Sequence, residues 1–108
     1  MKYFVIALTC LWSNILFASQ ESGLIKNILV HMAKPDVVML HIDGVDADKP
    51  SCVQGVTWEY AINISNDTGK ALYSLALASY ASQKKVFVFG SGVCTSVTAE
   101  NVNYLHTQ

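Results

Sequence analysis

Hydrophobic and polar positions change their period several times along this chain, and each change marks an element. Leu24 to Met32, LIKNILVHM, is rich in branched residues; Ala33-Lys34-Pro35-Asp36 follows, with Pro and Asp as turn formers, and then VVMLHI, Val37 to Ile42. That order predicts a β-hairpin. Asp43 to Ser51, DGVDADKPS, is polar and rich in turn residues, and reads as a loop leading to Cys52. Strict alternation then appears in TWEYAINI. Trp58, Tyr60, Ile62 and Ile64 share one face and Thr57, Glu59, Ala61 and Asn63 the other, which predicts a third strand with its aromatic face inward.

The period switches again after Ser65. SNDT offers side-chain acceptors for the free amides of a helix start, so a helix is predicted from Gly69 to about Gln83, capped by Asp67 or Thr68. Lys84 and Lys85 suit its C-terminal end. KVFVFG is a fourth strand ended by Gly90-Ser91-Gly92, and NVNYLHT a weaker fifth with Val102, Tyr104 and His106 on one face and Asn101, Asn103 and Leu105 on the other. The order strand, strand, strand, helix, strand, strand predicts a β-rich α+β domain, a small five-stranded OB-like barrel with one helix between strands 3 and 4.

The helix has almost no polar face. Leu72, Leu75, Ala76 and Ser79 form one stripe, while Tyr73, Leu77, Tyr80 and Ala81 form a second, displaced around the axis. The fourth strand repeats the pattern with Val86 and Val88 on one side and Phe87 and Phe89 on the other. One sheet does not cover both stripes. Tyr73, Leu77, Tyr80, Phe87 and Phe89 are therefore expected to form a subunit or partner interface, the alternative being a helix wedged between a curled barrel and a long loop of the same chain.

The N-terminal run has the layout of a secretory signal peptide: Lys2, apolar residues from Tyr3 to Phe17, then small Ala18 and Ser19. Cleavage is expected after Ala18, giving residues 1–18 as leader and 19–108 as a single OB-like domain, secreted or periplasmic. The run is shorter than the roughly 20 apolar residues of a spanning helix and is interrupted by Thr9, Ser13 and Asn14, so no stable membrane span is expected after its removal. Cys10 suggests lipoprotein processing, but Ala7, Leu8 and Thr9 make a poor lipobox. Cys10 would leave with the leader. Cys52 and Cys94 then remain as an even pair in an oxidising compartment and are expected to form a disulfide, the alternative being two separate buried thiols. A domain of about 90 residues buries only about 60 to 65 % of its unfolded surface, so such a bridge matters to its stability.

Charge narrows the partners. Arginine is absent, and residues 19–108 carry six lysines against eight acids. An acidic, arginine-free domain is a poor nucleic-acid binder and a poor ligand for anionic membrane surfaces. Candidate chemistry is sparse. Asp43, Asp46 and Asp48 form a possible ligand loop, though their spacing departs from an EF-hand and a solvated acidic loop explains them as well. His41 and Asp43, two apart on a strand, share a face near Ser51, without an oxyanion-hole signature. Trp58 and Tyr60 suit core packing better than sugar stacking. His31, His41 and His106 lack zinc-ligand spacing, and no cofactor is expected.

The exported leader, the hairpin reaching a Cys through a polar loop, and ALYSLALASYASQ running into KKVFVFGSGVC together resemble the B subunits of subtilase-cytotoxin and pertussis-like bacterial AB toxins, and small exported bacterial proteins sharing the GKALYSL and VFGSGVC pattern. That resemblance spans most of residues 19–108. It implies an OB-fold subunit that assembles in a ring, helices toward the axis, and binds glycans on its outer surface; it implies no particular site residues. Two functions are thus expected. The first is an exported, non-enzymatic and oligomeric binding module for a glycan or an extracytoplasmic protein. The alternative is a small monomeric secreted enzyme or enzyme inhibitor acting through the Asp43 to Ser51 loop.

Overall fold

A computed structural model describes residues 18–47, 49–53, 57–94 and 99–108. Apart from Ala18, the expected leader lies outside these residues, as does Asp48. The domain is small and β-rich, with five strands in one sheet and one α-helix. The strands are β1 (Gln20–His31), β2 (Lys34–Ala47), β3 (Tyr60–Asn63), β4 (Val86–Cys94) and β5 (Glu100–Thr107). Helix α1 (Asp67–Ser82) lies between β3 and β4, and a 3₁₀ turn spans Ser51–Val53. β1 pairs antiparallel with β2 and with β4, β2 with β3, and β4 with β5; β3 and β5 run parallel. Each strand therefore has two neighbours, although β1 meets β4 only over Gln20–Gly23 and β3 meets β5 only at Tyr60 and Ala61.

The hairpin turns earlier than its sequence suggests. Met32 and Ala33 make the turn, with Lys34 and Pro35 already in β2, and the His31 ring nitrogen Nδ1 accepts the Ala33 N–H at 3.0 Å. The stretch expected as a loop is mostly strand, because β2 continues to Ala47 and Leu24 and Glu21 of β1 lie opposite Asp43 and Asp46. β1 itself begins at Gln20, four residues before the expected start, and so offers this polar stretch a full set of backbone partners. Once those amides are paired, polar side chains are no obstacle to a strand.

α1 starts two residues before the predicted position. Its N-cap is Asn66, whose side chain accepts the Gly69 N–H at 2.7 Å, in place of Asp67 or Thr68. It ends at Gln83, which adopts a left-handed conformation with φ of 54° and donates its N–H to Tyr80 O, while Lys84 N–H bonds Ser79 O. The helix packs on β1, β3 and β5. Ala76 sits in the core with Val38, Leu40 and Ile42 of β2, Tyr60 and Ile62 of β3, Val86 and Val88 of β4, and Leu105 of β5. Trp58 is half-buried, and on the opposite face of β3 Ala61 belongs to a second cluster with Val37 and Ala99 while Asn63 is exposed.

β4 does not stop at its glycines. It passes through Gly90-Ser91-Gly92 to Cys94 with shifts in its register against β5, and there Cys94 forms the disulfide with Cys52, Cα atoms 6.3 Å apart. The shift also divides the expected face of β5: Tyr104 and His106 point outward, while Val102 packs against the core. Among the described residues no helix is long and apolar enough to cross a membrane.

Candidate functional site

The two strands nearest the C-terminus carry aromatic rings on the face turned away from the core. Val86, Val88 and Leu105 fill the interior, so alternation sends Phe87, Phe89, Tyr104 and His106 outward. Register then sets them side by side, with Phe87 opposite His106 and Phe89 opposite Tyr104. The Phe89 and Tyr104 centroids are 4.3 Å apart, those of Phe87 and Phe89 4.9 Å, and those of Phe87 and His106 5.4 Å, with interplanar angles of 18°, 25° and 5°. Phe89 and His106 are 6.5 Å apart, shorter than a path through Phe87, so the rings cluster two by two and do not form a column.

β1 completes this surface. Ser22 lies opposite Phe87 and Gln20 opposite Phe89, which puts a hydroxyl and an amide in the same two rows as the rings. Gln108 donates from Nε2 to Ser22 Oγ, adding a second amide at the margin. Tyr104 is 45 % exposed, and the two phenylalanines are half-buried. The surface is thus apolar at its centre, carries hydrogen-bonding groups along one side, and has no Lys, Asp or Glu among these seven side chains.

The other expected interface residues stand elsewhere. Ala76 and Ser79 of α1 are buried and Leu72, Tyr73 and Leu75 are half-buried against the core, while Leu77 and Tyr80 are each 40 % exposed. Of the five residues expected as one interface, Leu77 and Tyr80 therefore lie on the outward side of α1, Phe87 and Phe89 on the outer face of β4, and Tyr73 against the core.

The acidic candidates do not converge. Asp43 is exposed on β2 and pairs with Lys26 at 3.5 Å, and the side chain of Asp46, like all of Asp48, lies outside what the structure describes. No group of three metal-ligating side chains occurs among the described residues. His41 shares an outer face with Asp43, but its Nδ1 lies 3.4 Å from Glu59, to which Lys49 also comes within 3.5 Å. That arrangement holds a nearly buried carboxylate between an imidazole and the Lys49 ammonium.

A third constellation was invisible to alternation and spacing. Glu100 is fully buried and its carboxylate accepts from the backbone N–H of Ser19 at 3.1 Å, from the Ser19 hydroxyl, and from the Gly92 N–H at 2.7 Å. Because the Ser19 proton goes to Glu100, the Tyr60 hydroxyl donates to Ser19 Oγ, 2.8 Å away. Burial pushes the Tyr60 phenol well above its ordinary value, and the fields of Glu21, Glu100 and Glu59 reinforce that rise. The predicted inward face of β3 placed Tyr60 in the core, but a signal for its partners would have required pairing residues 19 and 100 across nearly the whole domain. No family model, curated protein or solved structure matches this chain.

Proposed function

We propose that this chain is an exported, non-enzymatic binding module on a small OB-like barrel, and that the outer face of β1, β4 and β5 recognises a glycan. The observation that carries this reading is the ring cluster of Phe87, Phe89, Tyr104 and His106 bordered by Gln20, Ser22 and Gln108. A sugar presents an apolar C–H face and a rim of hydroxyls. Aromatic rings suit the first, and amide and hydroxyl groups that both donate and accept suit the second. The neutrality of the surface favours an uncharged saccharide over a phosphate or sulfate.

The pairing order, with β4 returning to β1 and β3 parallel to β5 around a helix between β3 and β4, supports the OB-like reading. Self-association is a second part of the proposal, and Leu77 and Tyr80 on the outward side of α1 favour it. The exported protein is to be applied to a glycan array beside its Tyr104→Ala and Phe89→Ala variants, and its mass measured by sedimentation. Binding lost in both folded variants, and a mass above that of one chain, are the expected results. Wild-type protein that retains no glycan, or variants that bind as well as wild type, would reject the saccharide surface.

A further inference from the structure

Ser19 is 1 % exposed although its neighbour Gln20 is exposed, and all three of its polar groups are engaged. Its N–H points at Glu100 Oε2, its hydroxyl at Glu100 Oε1 and Tyr60, and its carbonyl accepts the Gly90 N–H at 2.9 Å. The receptacle is built for the carboxylate as well as for the serine. A Cβ on Gly90 would lie 2.1 Å from the carboxylate, so only glycine leaves the room, and Gly92, at a φ of 84°, turns its N–H onto Oε2. Among the described residues, the donors that reach Glu100 are neutral and no Lys or His forms an ion pair with it. A fully buried carboxylate in such a setting lacks a counter-ion.

We propose that the Ala18–Ser19 bond is the processing site of this chain, and that the α-ammonium released at Ser19 becomes the buried counter-ion of Glu100. Water adds across the amide, cut by a leader peptidase of the export machinery; Ala18 departs as a carboxylate and the Ser19 nitrogen takes up protons to become an ammonium. Cleavage occurs on the unfolded exported chain, before Ser19 is enclosed. The nitrogen already lies 3.1 Å from Oε2, so processing replaces a neutral donor by a cation without moving it. An α-amine has an ordinary pKa of about 7.7 to 8.0 and is charged at neutral pH. Removal of the leader at this one bond thereby strengthens a contact that the uncut chain already makes; a chain cut one residue later would lose the nitrogen, and one cut earlier would keep an uncharged amide there.

This inference rests on the export reading, and the test separates the two. The full chain is expressed for export and the purified product weighed intact. Periodate, which oxidises a serine only when its α-amine is free, is then applied to folded and urea-unfolded protein. The expected product begins at Ser19 and reacts at least about a hundredfold more slowly when folded, because oxidation must await local opening. By NMR, its α-amine should titrate above the ordinary range, with Glu100 of β5 and Tyr60 of β3 as the ionisable groups in contact with Ser19, and Glu21 of β1 and Glu59 as those whose fields reach Tyr60 beside it. Glu100→Gln should lower that titration and raise the folded-state rate; if the variant does not fold, the wild-type rate ratio and titration decide alone. A retained leader overturns the export reading and this inference together. A product that starts elsewhere, reacts equally fast folded and unfolded, or titrates below the ordinary range overturns this inference alone.

Discussion

Gly90 and Glu100 compete for one volume: a Cβ added to the glycine would lie 2.1 Å from the glutamate's carboxylate carbon. The Gly90→Ala substitution therefore forces the carboxylate or the strand to move, with an expected loss of about 1 to 3 kcal/mol, the range for overpacking a close-fitted interior. Urea unfolding measures it. An unchanged midpoint would mean that the β4–β5 shift is loose enough to absorb a methyl group.

Tyr60 makes stability depend on alkaline pH. Its folded-state pKa is raised above the ordinary phenol value of 10.0, chiefly by burial. A group that keeps its proton more tightly when folded contributes stability fully below the unfolded value. That contribution is lost as pH rises beyond it, toward the folded value. Wild-type stability should fall above about pH 10, and the Tyr60→Phe variant should fall less over the same interval despite a lower stability at neutral pH from the lost bond to Ser19. Denaturant midpoints at both pH values, with tyrosinate absorbance as the titration readout, check the sign.

The Cys52–Cys94 bridge spans a sequence separation of 42. Loop-closure entropy over such a span corresponds to about 4 kcal/mol, so replacing both cysteines by alanine should lower the melting temperature strongly. Reduction of the wild-type protein should lower it comparably and should leave the double variant unaffected.

Phe89 and Tyr104, with centroids 4.3 Å apart, provide a test of the outer surface that needs no ligand. A double-mutant cycle through Phe89→Ala and Tyr104→Ala should return a coupling of about 0.5 to 1.5 kcal/mol. A coupling near zero would show that the rings do not hold one another in solution, and the preorganised sugar platform would lose its basis.

Sequence periodicity carried the element order well because it depends on local geometry. Alternation in β3 and in Val86–Phe89 correctly placed Tyr60, Ile62, Val86 and Val88 inside. It failed where partners override composition. Asp43 to Ala47 form strand since residues from Gln20 onward pair with them, and Gly90 to Gly92 stay in β4 since β5 and a buried carboxylate accommodate them. Phe87 and Phe89 were legible as a second apolar face, but Tyr104 and His106 joined them only through the β4–β5 register. Gln20 and Ser22 were hidden for the same reason, since their relation to the rings depends on β1 pairing with β4. The Ser19–Glu100 contact, 81 residues apart in the chain, left no local trace.

The parallel contact of Tyr60 with Glu100 and the return of β4 onto β1 have a bearing on the order in which the chain folds. Both junctions need residues beyond Lys85, so a nascent chain that has reached only Lys85 possesses a hairpin, a short third strand and a helix but no means of joining their ends. Such distant pairings are slow to form. The sheet of such a polypeptide is therefore completed last, when its C-terminal strands reach β1 and β3.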